Sequence, residues 1–337
     1  MTVWMLVLAT AVCSLLLTAA LRRYALSRSL MDIPNARSSH TVPTPRGGGV
    51  AIVLSFLLMV PVLAFFGGLS WSLALGLLGA GGWVAVVGFL DDHGHIAARW
   101  RLLAHFGGAT WALFWLGGLP PLQIAGVNLN LGWFGHIAAA FYLVWLLNLY
   151  NFMDGIDGIA GVEAITVCVG GALLYAVLGQ TGLALLPLLL AAASAGFLYW
   201  NFPPAKIFMG DAGSGFLGLV LGTLSLQAAW VAPQLLWSWL ILLAVFVVDA
   251  TWTLMRRWVR GDKVYEAHRS HAYQYASRRH GRHLPVTVAV LAINLGWLLP
   301  IALLVGGGYL DGLLGFLVAS APLVFLAMKY GAGTQER

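Results

Sequence analysis

Aspartates at five positions are the residues of this sequence whose type and spacing could do chemistry. Asp91 and Asp92 are adjacent, Asp154 and Asp157 are three residues apart, and Asp211 stands in the glycine-rich segment MGDAGSG. Carboxylates with few other ligands suit Mg²⁺, which keeps several waters and takes phosphate oxygens from a substrate. Backbone N–H groups that glycines expose at a helix start suit a phosphate. The pattern therefore predicts a divalent-metal site that handles phosphorylated substrates.

Two asparagines precede the second aspartate pair. Asn148 and Asn151 lie six and three residues before Asp154, so the three side chains share one face as a helix ends. A lone aspartate at a helix end is more often a cap than a ligand. Asp32 and Asp249 fit either interpretation, whereas three clusters, two of them in glycine-rich turns, favour the metal site.

A histidine motif lies late in the chain, in the segment EAHRSHAYQ. His268 and His271 are three residues apart with Arg269 between them, so the two histidines would share a helical face. Histidine can hydrogen-bond a phosphate, and arginine can bind one bidentately. Alone, such a segment is usually a solvated basic loop; beside an acidic metal site it predicts a pyrophosphate clamp. His280 and His283 follow in a diffuse basic run to which no role is assigned.

The composition shows what must position these residues. Of the 337 residues, 60% are hydrophobic and 9% are charged, and the mean hydropathy is +0.86. A soluble domain carries roughly 25% charged residues, so an ordinary globular enzyme and a disordered chain are excluded. Cys13 and Cys168 lie in apolar runs and support neither a disulfide framework nor a zinc site. The chain is predicted to be an integral membrane protein.

The apolar runs predict an all-α membrane protein with about eleven transmembrane helices of roughly 20 residues each. We treat residues 1–337 as a single polytopic domain. Because most of the runs lack charge throughout, a β-barrel of alternating short strands is a poor alternative. The predicted spans are 2–20, 47–66, 70–90, 103–119, 134–150, 162–178, 183–200, 212–230, 236–254, 285–305 and 310–328.

Basic residues predict the orientation. With eleven spans, all 18 Lys and Arg residues fall on one face of the membrane and none in the opposite loops. The positive-inside rule then places the N-terminus in the periplasm and the C-terminus in the cytoplasm. The charges predict contacts with membrane lipids and no nucleic-acid binding. The main predicted cytoplasmic loops are 21–46, 91–102, 151–161, 201–211 and 255–284.

Five ordered motifs together resemble the polyprenyl-phosphate N-acetylhexosamine-1-phosphate transferase family. The histidine motif is similar to that of the O-antigen-initiating subgroup (WecA and WbpL type). Where many relatives have glutamine, this chain has His105. The matching segments are Asp32 to Gly49, Asp91-Asp92 with Arg101 to His105 downstream, Asn148 to Gly161, Pro203 to Gly218 and Ala267 to Gln274.

The resemblance implies a phosphoglycosyltransferase in the bacterial inner membrane. Undecaprenyl phosphate would attack the β-phosphorus of a UDP-N-acetylhexosamine and release UMP, the first step of O-antigen or other surface-polysaccharide synthesis. Mg²⁺ would be the cofactor, with Mn²⁺ able to substitute, and the site would face the cytoplasm. Which of GlcNAc, FucNAc, QuiNAc and GalNAc is transferred stays open, as does a homodimer.

The resemblance also implies roles for individual residues. Asp211 is the first choice as metal ligand, followed by Asp91, Asp92 and Asp157. Catalytic roles would fall to Asp91, Asp92, Asp154, Asp157 and His268, and substrate contacts to His40, Arg46, Asn148, Asn151, Lys206, Arg269 and His271.

Two alternatives come from other classes. A transporter would fit many spans with buried carboxylates, but transporter sites lie near the bilayer midplane and these aspartates gather at one face. A CDP-alcohol phosphotransferase would require an arginine after Ala160, where this chain has Gly161.

Overall fold

The protein is built almost entirely of apolar helices, which confirms the predicted all-α membrane protein. A computed structural model describes residues 3–34, 39–94, 96–124, 126–263 and 268–335. Arg37, His95, Glu266 and Ala267, which belong to the predicted loops and motifs, lie outside the described residues. The helices are α1 (Val3–Ser27), α2 (Val50–Phe65), α3 (Trp71–Gly94), α4 (Ala98–Leu116), α5 (Gly132–Met153), α6 (Ile159–Val177), α7 (Leu185–Asn201), α8 (Asp211–Val231), α9 (Gln234–Leu242), α10 (Ala244–Val259), α11 (Ala272–His280), α12 (Leu284–Ile293), α13 (Leu299–Gly306) and α14 (Gly312–Lys329).

Each of the eleven predicted spans coincides with helical residues, but the helices are unequal. The span predicted over 285–305 corresponds to α12 and α13, which a π-helical turn (Asn294–Leu298) joins into one helix of 23 residues. Across the described residues, eight helices are long and apolar enough to cross a membrane, or nine if one bent pair counts as a span. That pair is α9 and α10, which meet at 76°, so the span predicted over 236–254 corresponds to a bent pair of helices. The other two regions are α2, with 16 residues, and α4, which begins at Ala98 and carries Arg99 and Arg101 in its first turn.

Helix α8 forms the centre of the bundle and brings the aspartate motifs together. It packs against α3 and α5, and most of its side chains are buried. Close approach depends on glycine, because a Cβ at Gly88 would lie 2.6 Å from the carbonyl oxygen of Asp211, and one at Gly218 would lie 2.6 Å from that of Leu146. The end of α3, which carries Asp91 and Asp92, therefore lies directly against the start of α8.

The segment before α2 is fastened to the segment before α8. Strands β1 (Met31–Asp32) and β2 (Thr44–Pro45) form a short antiparallel pair, so Asp32 lies in a strand and is not a helix cap. The Phe208 N–H donates to the Pro45 carbonyl at 2.8 Å, and the Gly48 N–H donates to the Phe208 carbonyl at 2.9 Å. These bonds place Arg46 beside Asp211. We call the end of the bundle where these segments meet the charged end.

A second antiparallel pair lies between α4 and α5. It consists of β3 (Leu122–Ile124) and β4 (Val127–Leu129). Its position matches the weak alternation in the sequence over residues 122–134, and it carries none of the candidate site residues.

Candidate active site

Asp92 and Asp211 share one cation at the charged end. A single guanidinium nitrogen of Arg46 lies 2.6 Å from Oδ1 of Asp92 and 3.0 Å from Oδ1 of Asp211. The backbone N–H groups of Asp211 and Ala212, at the start of α8, donate to the Asp92 carboxylate at 3.0 and 3.4 Å. Asp92 thus caps α8 from another helix, and its charge is stabilised by donors at the positive end of the helix dipole.

Asp91 has different partners from its neighbour, because adjacent residues on a helix point in different directions. Its carboxylate accepts hydrogen bonds from Arg101 and from the Ile96 N–H at 2.6 Å. Arg101 also lies 3.8 Å from Oδ2 of Asp211. Two arginines therefore face Asp211, one from the segment before α2 and one from α4.

Asn151 connects α5 to the same centre. Its amide nitrogen donates to Asp211 Oδ1 at 3.1 Å and to Ser214 Oγ at 2.9 Å. Asn148, one turn earlier, donates to the Val144 carbonyl at 2.7 Å. Asn151 therefore orients the Asp211 carboxylate, while Asn148 is engaged within its own helix.

Asp157 is held in the turn after α5. Its carboxylate oxygens accept from the Ala205 N–H at 3.0 Å and lie 3.1 Å from His283 Nδ1. The other ring nitrogen of His283 lies 3.0 Å from the Ser39 carbonyl. Burial alone would lower the pKa of His283, but the hydrogen bond and charge of Asp157 raise it above the usual value. Asp157 and His283 thus form an ion pair whenever the histidine is protonated.

Asp154 lies at the end of α5 and has no side-chain hydrogen bond or ion pair to any described residue. Burial raises the pKa of its carboxyl well above the usual range, and the nearby carboxylates of Asp211, Asp92 and Asp157 raise it further, while Arg46 acts in the opposite direction. This carboxylate is therefore the least compensated charge of the site.

A cavity of about 280 Å³ lies beside the Arg46–Asp92 contact and is lined partly by side chains of α1; two further cavities flank the Arg46–Asp211 contact. The larger, of about 330 Å³, is lined by Arg46, Asp154 and Asp157 and by polar backbone around Gly210. The smaller, of about 160 Å³, is lined by the polar residues Asp91, Arg101, His105, Asn148, Asn151 and Asp211, and by Val84, Val87, Leu102 and Leu147. One cavity is thus mostly polar, and the other has a polar floor and apolar walls.

His40 lies in the wall of the 330 Å³ cavity. Its ring packs edge-on against Phe208 with centroids 4.8 Å apart, and its buried Nε2 has no partner within the described chain. His40 and Phe208 also line an adjacent cavity of about 510 Å³. The substrate contact that the resemblance implies for His40 stays a prediction.

Lys206 and the histidine motif lie elsewhere. The Lys206 ammonium is 5.4 Å from the ring centroid of Trp200, and Lys206 does not line the cavities that hold the aspartates. His268 and His271 stack with centroids 4.9 Å apart, and buried His271 is 3.4 Å from Asp249. Neither these histidines nor Arg269 line those cavities, although Gln274 does.

The donor set fits a metal ion held mainly by substrate and water. No group of three or more His, Cys, Asp or Glu side chains among the described residues could hold a metal ion. Asp92 and Asp211 nevertheless converge on one cation position, which Arg46 fills. Mg²⁺ is commonly bound by one or two carboxylates together with phosphates and waters. Asp211 and Asp92 meet that requirement, whereas Asp91 and Asp157 are engaged by other partners.

Several residues of the site were missed by sequence reasoning. Arg101 was quoted in a motif without a role, His283 was assigned none, and Ser214 and Phe208 were not considered. The 126 residues that separate Asp157 from His283 explain why no local spacing indicated their contact. For Arg101, the one sequence signal was a basic residue ten positions after an aspartate pair.

Comparison with known proteins agrees with the resemblance seen in the motifs. Residues 74–229 match the family model described as glycosyl transferase family 4. The chain is 30% identical to the decaprenyl-phosphate N-acetylglucosaminephosphotransferase of Mycolicibacterium smegmatis, over 85% of this chain and 80% of that protein. It is 27% identical to the undecaprenyl-phosphate alpha-N-acetylglucosaminyl 1-phosphate transferase of Thermotoga maritima, over 83% and 84%. A phospho-N-acetylmuramoyl-pentapeptide-transferase of Streptococcus pneumoniae is 32% identical over 63% and 67%.

Proposed function

Because the chain belongs to the polyprenyl-phosphate N-acetylhexosamine-1-phosphate transferase family, we propose that its donor is a UDP-N-acetylhexosamine and its acceptor is undecaprenyl phosphate. It is a phosphoglycosyltransferase of the glycosyl transferase family 4 type and a multi-pass membrane protein. The substrates, the metal and the pathway are the parts of the proposal that experiment must test.

One observation carries the proposal: the Arg46–Asp211 contact separates a polar cavity from a cavity with apolar walls. A soluble nucleotide sugar needs polar groups and room, which the 330 Å³ cavity supplies. A lipid phosphate needs a polar floor that is reached past apolar side chains, which the 160 Å³ cavity supplies. Asp211 lines the second cavity and Arg46 the first, so the two phosphates would meet at their contact.

The reaction needs little covalent work by the protein. An oxygen of the lipid phosphate attacks the β-phosphorus of the donor, the bond from that phosphorus to the bridging oxygen breaks, and UMP leaves with the bond electrons. A phosphate monoester with a second pKa of about 6 is largely ionised at neutral pH, so no general base is required. Positioning and charge stabilisation then account for catalysis.

The arginines offset the repulsion between two anionic substrates. Arg46 reaches toward the donor cavity, and Arg101 lies in the acceptor cavity. Asn151 holds Asp211 in place through its 3.1 Å hydrogen bond. Asp211 and Asp92 would hold Mg²⁺, which when bound neutralises phosphate charge and favours departure of UMP. Asp154 and His40 would contact the donor from the walls of the larger cavity.

We further propose that the site faces the cytoplasm of the inner membrane and that the product initiates O-antigen or another surface polysaccharide. The support is the one-sided distribution of basic residues in the sequence and the form of the histidine motif. The relatives from Mycolicibacterium smegmatis and Thermotoga maritima are named for N-acetylglucosamine, which makes UDP-GlcNAc the first donor to assay.

The test is transfer by the purified protein in lipid nanodiscs. Radiolabelled UDP-GlcNAc, UDP-FucNAc, UDP-QuiNAc and UDP-GalNAc would each be supplied with undecaprenyl phosphate, and both the lipid product and UMP would be measured. We expect one donor to give equal amounts of both, with activity lost in EDTA and restored by Mg²⁺ or Mn²⁺. UMP release without a lipid product, or no turnover of any of the four, would contradict the proposed substrates. Full turnover without metal would contradict the proposed cofactor.

A further inference from the structure

Asp249 on α10 binds the start of α11 and does not cap its own helix. Its two carboxylate oxygens accept from the backbone N–H groups of Ala272 at 2.9 Å and Tyr273 at 3.0 Å. His271 lies 3.4 Å away, and the Thr253 hydroxyl donates at 3.2 Å. The side chain is buried, so the contact is not a loose surface ion pair. Asp249 thereby fixes the segment that directly follows His268 and Arg269.

The first turn of α11 continues this contact toward the aspartate turn. The buried Tyr273 donates its hydroxyl to the Phe152 carbonyl at 2.9 Å, at the end of α5. Gln274 accepts from the His271 N–H at 3.2 Å and lines the larger cavity. Tyr273 therefore joins the start of α11 to the end of α5, directly before the turn from Asp154 to Asp157.

Gly155 packs closely against the side chains of Tyr273 and Gln274. A Cβ at Gly155 would lie 2.2 Å from the Tyr273 hydroxyl oxygen, while its next neighbours, Gln274 Nε2 and Tyr273 Cζ, would be 3.2 Å away. Gly155 does not have a positive φ, so alanine is conformationally permitted there. The hydroxyl oxygen is the main obstacle to a methyl group there, and the two neighbours at 3.2 Å would have to yield by a few tenths of an ångström.

We infer that Asp249 and Tyr273 form a strut that sets the position of the Asp154–Asp157 turn relative to the histidine segment. Both are positioning residues, since neither lines the cavities that flank the Arg46–Asp211 contact. The inference rests on the proposed function, because the turn it positions lines the proposed donor cavity. Its catalytic consequence should appear in the KM for the UDP-sugar.

The test is suppression of one substitution by another. Gly155→Ala should raise the KM for the UDP-sugar about tenfold, and Tyr273→Phe about threefold. Independent effects would multiply to about thirtyfold in the double variant. Because Tyr273→Phe removes the oxygen that the new methyl group would meet, we expect the double variant to resemble Tyr273→Phe alone, at about threefold. A multiplied loss would overturn the strut.

A matched control separates positioning from loss of stability. Gly170→Ala inserts a methyl group 2.6 Å from a Leu242 methyl carbon inside the bundle. It should lower Tm as Gly155→Ala does, but leave the KM for the UDP-sugar unchanged. An equal rise in KM would show that Gly155→Ala acts only through general destabilisation, and the inference would be wrong.

Hydrogen–deuterium exchange tests the strut without any turnover. Exchange in residues 154–158 should rise in Gly155→Ala and return toward that of the wild type when Tyr273→Phe is added. Asp249→Asn, which keeps one of two acceptor oxygens, should raise exchange in residues 272–274 more than Asp262→Asn does. If this pattern holds while the protein transfers no sugar, the proposed function fails and the strut stands. If transfer occurs but the exchange pattern is absent, the strut is wrong and the proposed function stands.

Discussion

The aspartates of the charged end form two groups that differ in how their charge is compensated. Asp91, Asp92 and Asp211 each contact a guanidinium group, from Arg46 or Arg101. Asp157 faces a histidine, and Asp154 has no cationic partner in contact among the described residues. The first group is therefore ionised and paired with arginines before any substrate arrives, whereas Asp154 in the second group, whose pKa is raised, favours its neutral form until a cation or hydrogen-bond donor stabilises its charge.

The comparison indicates different uses for the two groups. An arginine-balanced cluster is rigid and pre-organised, as a centre that stabilises transition-state charge must be. An uncompensated carboxylate in a polar cavity contributes to selecting the ligand that compensates it. Substitutions in the two groups of aspartates and their partners should therefore have effects of different size.

Asp211→Asn should have the largest effect. The change is nearly isosteric, but it removes the charge that both Arg46 and Arg101 face. We expect kcat to fall by at least about 100-fold, or about 2.7 kcal/mol of transition-state stabilisation, measured as lipid product in nanodiscs. Asp262→Asn, at a carboxylate paired with Arg260, is the control and should retain wild-type kcat. A fully active Asp211→Asn protein would reduce Asp211 to a helix-terminal residue.

Arg101→Ala should have the second largest effect, because it should weaken binding of the acceptor. Arg101 lines the smaller cavity, so its loss should raise the KM for undecaprenyl phosphate about tenfold with little change in the KM for the UDP-sugar. Arg99→Ala is the matched control, because Arg99 lies over Trp100 at 5.6 Å and makes no ion pair with a described acidic residue. Equal effects of the two substitutions would show a general electrostatic attraction that salt screens.

Asp154→Asn should raise the thermal stability of the protein at alkaline pH. Since the pKa of Asp154 is raised in the folded protein, the folded state binds the proton more tightly than the unfolded state, and the contribution of Asp154 to stability falls as pH rises above about 4. An asparagine side chain has no proton to release, so this decrease in stability is absent from the Asp154→Asn variant. In metal-free buffer we expect its Tm to exceed that of the wild type by about 2 °C at pH 8, with a smaller difference at pH 5. A difference that grows on acidification would contradict the assigned cause.

Lys206→Ala should have the smallest effect. Sequence analysis placed Lys206 at the nucleotide, but its ammonium lies over Tyr199 and Trp200, at 5.7 and 5.4 Å. We therefore expect kcat/KM for the UDP-sugar to change by less than about twofold. A tenfold loss would restore the sequence-based assignment and show that this side chain moves into the site when substrate binds.

The positions of the aspartate motifs could be predicted from sequence because each lies where a long apolar run ends. Asp91, Asp154 and Asp211 all lie at such boundaries, and the helices found there begin or end within a few residues of the prediction. The all-α membrane class followed from composition in the same way. Both inferences depend on local properties of the chain.

Pairings between distant segments could not be predicted. Nothing local indicates that Arg46 bridges Asp92 and Asp211, or that Asp249 binds the start of α11. The break between α9 and α10 was missed because neither glycine nor proline occurs in the apolar run from Gln234 to Val259. Local propensity gives no sign of such a bend, which depends on how the neighbouring helices pack.

The shortness of α2 has a consequence for the surrounding bilayer. Its 16 residues span about 24 Å at 1.5 Å per residue, against a hydrocarbon layer about 30 Å thick. Its start at the charged end is fixed, because Gly49 donates to the Met209 carbonyl at 2.8 Å. A bilayer that α2 crosses would therefore thin beside it, or Arg46 would lie below the head-group plane. Under the proposed function, the acceptor's phosphate would meet the site at a depth set by this hydrophobic mismatch, and we expect turnover to depend on lipid chain length.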